Sequence, residues 1–87
     1  MAQRSDPEIL AAYVHGEKLT VIPRKASRKL IVLRWLVERF APGVRYTEAE
    51  VNKLIGQAHP DFATLRRELY DKHFLDRAEG FYWREGS

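Results

Sequence analysis

The chain has 87 residues, with 15 Lys+Arg against 12 Asp+Glu, a formal charge of +3, 45% hydrophobic residues and no cysteine. One folded domain fits these figures, and they exclude a disulfide scaffold, a cysteine nucleophile and every thiolate metal site. No apolar run approaches the roughly 20 residues that span a bilayer and no apolar signal segment follows Met1, so a soluble, cytoplasmic protein is expected, with too small a core for a water-excluding catalytic pocket.

Ser5-Asp6-Pro7-Glu8 reads as a helix start, with a cap, a proline tolerated in the first turn and acids at the positive end. Ile9, Leu10, Tyr13 and Val14 recur at helical spacing until Gly16. Lys18 to Ile22 is short and β-branched, and Pro23 closes it, which predicts a strand. Ser27 then caps a second helix running to about Ala41, before Pro42-Gly43 ends it. Its inward stripe is Leu30, Leu33, Leu36, Val37 and Phe40. Ile31 and Trp35 lie on the far side of that helix, among Arg34, Glu38 and Arg39. An exposed Trp is costly, so either the N-terminal helix or a second copy of the chain should cover this pair.

Tyr46-Thr47-Glu48-Ala49-Glu50-Val51 is a capping box with a hydrophobic staple, and it opens a third helix whose inward residues are Val51, Leu54, Ile55 and Ala58. His59-Pro60 breaks it. Asp61 caps a fourth helix with Phe62, Leu65 and Leu69 inward. After His73 the period changes to two, predicting a hairpin of Phe74 to Arg77 and Phe81 to Arg84 around the turn Ala78-Glu79-Gly80. The resulting fold class is mainly α with a small β-hairpin. Residues 17–87 are expected to form a winged helix-turn-helix, a three-helix core plus a wing, after an N-terminal helix over residues 1–16.

At Leu19-Thr20-Val21-Ile22-Pro23, Leu33-Arg34-Trp35-Leu36 and Tyr46-Thr47-Glu48-Ala49-Glu50-Val51-Asn52 the chain resembles a small bacterial family, the domain of unknown function DUF2087. The likeness continues through Pro60-Asp61-Phe62-Ala63-Thr64-Leu65-Arg66-Arg67 and Gly80-Phe81-Tyr82-Trp83-Arg84. In that family the domain often follows an arsenic-repressor-like winged helix, and it also occurs alone. The resemblance implies a transcription-regulator setting and supplies no catalytic residues. This chain departs from the two-domain arrangement, since only a short helix precedes the motifs.

The charge points the same way. Glu17 to Thr47 carries eight cations against Glu17 and Glu38, whereas the rest is close to neutral. Arg24, Lys25, Arg28 and Lys29 crowd the start of the second helix, where cations oppose the helix dipole; with the free N–H groups there they form a candidate phosphate clamp. The same cluster also reads as a solvated basic turn.

On the fourth helix the outward face carries Ala63, Thr64, Arg67, Glu68 and Asp71. Arg67 and Thr64 are the candidate base readers; the alternative for Arg67 is a surface bridge to Asp71. Arg66, at the edge of the core stripe, is expected to be structural. Arg77 and Arg84 are candidate phosphate contacts from the wing strands, although the wing tip and the start of the third helix are acidic. Tyr82 and Trp83 can stack on single-stranded bases, but alternation points Trp83 inward with Leu75.

His15, His59 and His73 are scattered, with no metal-ligand spacing, no Ser-His-Asp order and no Gly-rich phosphate loop, so neither metal, cofactor nor catalysis is expected. The leading expectation is a DNA-binding regulator that contacts double-stranded DNA, acting as a homodimer. The alternative is an interaction module that binds protein, a second copy or a regulator, through Ile31 and Trp35.

Overall fold

In the computed structural model, which describes residues 6–85, the chain enters through a short helix α1, Asp6–Ala11. Ser5, one expected cap, lies outside the described residues. The helix stops five residues before Gly16, because Tyr13 and Val14 are drawn into a hairpin instead. Strands β1 (Val14–His15) and β2 (Lys18–Leu19) pair antiparallel around Gly16-Glu17. Gly16 sits at φ 62°, a left-handed value that costs glycine nothing. Strand β2 ends at Leu19, three residues short of the expected Ile22, since residues 20–23 have no further strand partner.

Helix α2 spans Ala26–Val37. Its N-cap is Lys25, extended at φ −67° and ψ 130°, and no side chain caps it. The expected cap, Ser27, lies inside the first turn, and Pro23, three residues before the helix, is buried. The helix also ends earlier than Ala41. Two tighter turns follow, with Arg39 N–H on the Leu36 carbonyl and Phe40 N–H on that of Val37, and these swing Phe40 fully into the core. Val32, absent from the expected stripe, is buried, while Leu30 is half-buried.

Strand β3 (Tyr46–Thr47) leads directly into α3 (Glu48–Gly56). The Tyr46 ring meets Phe40 edge-on at 5.2 Å, and its hydroxyl accepts from Ala41 N–H at 2.8 Å, closing the loop between them. The capping box is present as read: Glu50 N–H donates to Thr47 Oγ1 at 3.2 Å and Thr47 N–H to Glu50 Oε1 at 2.8 Å.

Beyond Pro60, Asp61 caps α4 (Phe62–Asp71) by accepting from Thr64 N–H at 3.3 Å. Leu65 and Leu69 are buried, but Phe62 is 37% exposed. At the first position of α4 its ring lies over Gly56, where an added Cβ would stand 3.7 Å from it. It therefore covers the end of α3 rather than filling the core.

Strands β4 (Leu75–Ala78) and β5 (Phe81–Arg84) form the last hairpin, and β3 adds to β5, giving the sheet order β3-β5-β4. The turn has two residues, Glu79 and Gly80, not three. Ala78 consequently belongs to β4, and Leu75 faces Arg84 while Asp76 faces Trp83. A one-residue change of register reverses every side chain. Tyr82 is the inward aromatic, 4% exposed, and Trp83 lies on the outer face beneath the Arg45 guanidinium at 4.7 Å.

Four helices and two small antiparallel sheets thus surround one core. The first hairpin is strapped to it. Leu19 N–H donates to the Ala58 carbonyl at 2.9 Å, Lys18 Nζ to that of Gln57 at 2.6 Å, and Arg39 Nη2 to that of Glu17 at 2.6 Å.

Candidate nucleic-acid interface

Helix α4 is gripped on both flanks. Toward α3, Arg66 Nη1 donates to Asn52 Oδ1 and Nε lies 4.0 Å from Glu48 Oε1. Arg66 is thus half-buried and holds two helices together, the structural task expected of it. Toward α2, Glu68 pairs with Lys29 at 2.6 Å, the two side chains being 19% and 24% exposed. Between these flanks, Ala63, Thr64, Arg67 and Asp71 are exposed on the ridge opposite Leu65 and Leu69. The Arg67 side chain makes no hydrogen bond or ion pair among the described residues, and no bridge to Asp71 forms.

The basic cluster divides. Lys29 is spent on Glu68, and the Arg28 Nη1 donates to Tyr13 Oη at 3.3 Å. Arg24 and Lys25 remain exposed, at the mouth of a helix without a side-chain cap or an acid in its first turn. The Lys29–Glu68 pair joins this end of α2 to α4, so the elements bearing the cluster and Arg67 are direct neighbours. Lys29 could have been found in the sequence: it stands four residues before Leu33, on the buried stripe of its own helix.

The two arginines of the last hairpin differ. Arg77 is exposed, with its guanidinium 5.7 Å from the Tyr70 ring and 5.8 Å from that of Tyr82, and Nη1 on Tyr82 Oη at 3.4 Å. The Tyr82 hydroxyl in turn donates to Glu48 Oε1 at 3.5 Å, so Glu48 links the start of α3 to both the last hairpin and Arg66. This chain from Arg77 to Asn52 was not anticipated, because Glu48 reads in sequence as a helix-start acid. Arg84 is half-buried, and its Nη1 donates to the Phe40 carbonyl at 3.3 Å, tying β5 to the end of α2.

Ile31 and Trp35 face α1 across a hollow of about 220 Å³ that Pro7, Leu10, Arg34 and Glu38 complete. The Arg39 guanidinium lies 4.8 Å from the Trp35 ring. Helix α1 therefore covers the pair in part, and both side chains are half-buried.

Among the described residues no group of three or more His, Cys, Asp and Glu is arranged to hold a metal ion, and no helix is long and apolar enough to cross a membrane. His59 Nδ1 instead accepts from Asp61 N–H at 3.0 Å, shaping the turn before α4.

Comparison with curated proteins and with solved structures gives no match. Residues 18–84, from the start of β2 to the end of β5, match the family described as an uncharacterized protein conserved in bacteria (DUF2087), and the chain belongs to that family.

Proposed function

We propose that α2 to β5 is a winged helix that binds double-stranded DNA as a transcription regulator, with α4 in the major groove. The order helix, strand, helix, helix, hairpin supports the architecture, as does the pairing of β3 with the returning strand of the hairpin. One observation carries the functional reading. Arg67 stands outward and unpartnered among the described residues on α4, with Thr64 one turn earlier, while Arg66 and Glu68 on either side are held by neighbouring helices.

An arginine in that situation can fork onto guanine O6 and N7 without first breaking an ion pair. Arg24 and Lys25, with the uncapped N–H groups of α2, supply phosphate contacts. Arg77 is exposed on the wing, its guanidinium held by two tyrosine rings. Arg28, Lys29 and Arg84 are assigned to holding the fold.

Fluorescence anisotropy with a labelled duplex tests this. Log affinity should fall linearly with log salt. Lys25→Ala should weaken every duplex alike, whereas Arg67→Ala should reduce discrimination between a selected and a random duplex by about 1–3 kcal/mol. Absence of duplex binding by the wild type at low salt would overturn the reading.

A further inference from the structure

Helix α2 is apolar on two opposite sides. Val32, Leu33, Leu36 and Val37 enter the core, and Ile31 and Trp35 lie opposite them, with Arg34 and Glu38 completing the i, i+3, i+4, i+7 stripe. Among the described residues α1 covers this stripe only in part, and a hollow of about 220 Å³ lies between the two helices.

We propose that the hollow between α1 and α2 is an interface between two copies of this chain, in which antiparallel α2 helices set Arg34 of each copy against Glu38 of the other. The proposal is independent of the DNA reading.

Self-complementarity is what selects a second copy as the occupant. The rim of the hollow carries one cation and one anion, a single helical turn apart, beside an apolar floor. A two-fold axis through such a stripe brings cation onto anion twice, as an isologous contact requires. An acidic or a basic partner would call for a rim of one sign instead.

The antiparallel sense follows from the rest of α2. Arg24 and Lys25 sit at one end of it, so antiparallel pairing separates the two basic ends, whereas parallel pairing would stack them. Arg34 is already engaged within its own chain, and on association it shares that engagement with Glu38 of the partner subunit. Six residues line the hollow, against the roughly 20–30 a side of a standard interface, so association is weak and dependent on concentration.

Sedimentation velocity over a roughly hundredfold range of concentration reads the outcome. Wild-type protein should pass from monomer to dimer, and Trp35→Ala should shift that transition to higher concentration. Arg34→Glu and Glu38→Arg each put like charges together and should weaken dimerisation about tenfold or more. An equal mixture of these two variants should recover it, because both cross-contacts in the mixed dimer are then opposite in sign.

That recovery cannot come from changes within one chain. Circular dichroism checks that each variant is folded. If Arg34→Glu folds poorly, Glu38→Arg at its exposed position carries the test alone, and unchanged self-association overturns the proposal. A wild type that stays monomeric overturns it too, as does a mixture that fails to recover.

Discussion

Arg66, Arg67 and Glu68 are consecutive residues of α4, and the roughly 100° step of the helix sends them to three different environments. Arg66 meets Asn52 on α3, Glu68 meets Lys29 on α2, and Arg67 points away from both. The sequence pattern separates Arg67 from the core but says nothing of which partners hold its neighbours, since both lie on other helices. The tip of the last hairpin shows a second residue-scale effect. Glu79 and Gly80 occupy left-handed conformations at φ 54° and 84°, as a two-residue turn demands, and only Gly80 adopts its value without strain. Replacing Glu79 with Asn, which tolerates that geometry, should stabilise the protein by about 0.5–1 kcal/mol, seen as a higher urea midpoint with an unchanged slope. A lower midpoint would mean that the Glu79 side chain contributes more than its backbone strain costs.

At the scale of the element, the two helix starts make a contrast. Helix α3 begins with a complete capping box and two acids, everything helix stability favours, and its start was legible residue by residue. Helix α2 begins with Lys25 as an unused cap position and no acid in the first turn. A feature that stability does not explain is consistent with use as an anion contact. Lys25→Ser should therefore stabilise the protein by about 1 kcal/mol in urea denaturation. If the DNA reading holds, the same variant should lose duplex affinity in anisotropy measurements. Gain in stability with no loss of binding would remove Lys25 from the interface.

For the molecule as a whole, the matched region begins at residue 18, yet the hairpin that contains it reaches back to Val14. Leu19 is 3% exposed and its N–H is held by the Ala58 carbonyl, so a two-residue strand contributes to the same core as α2, α3 and α4. Leu19→Ala should cost about 2–4 kcal/mol, the range for emptying a fully buried leucine site. Fluorescence and circular dichroism should report a single coincident transition for both proteins. A loss under 1 kcal/mol, or two separate transitions, would show that the first hairpin is an appendage.

By itself the sequence determined the family, the existence of four helices and the final hairpin, the capping residues Thr47 and Asp61, and most of the buried positions. These follow from local periodicity and from side chains that bond to their own backbone. Tertiary structure decided the rest. It ended α1 at Ala11 in favour of a hairpin, started α2 at Ala26, and turned Tyr82 inward by shortening the last hairpin's turn to two residues. It also brought Arg28, Lys29 and Arg84 into contact with Tyr13, Glu68 and the Phe40 carbonyl and left Arg24, Lys25 and Arg67 exposed. The reason is physical: a strand's register and an ion pair's partner both depend on a surface contributed by a distant part of the chain, and no local pattern encodes that surface.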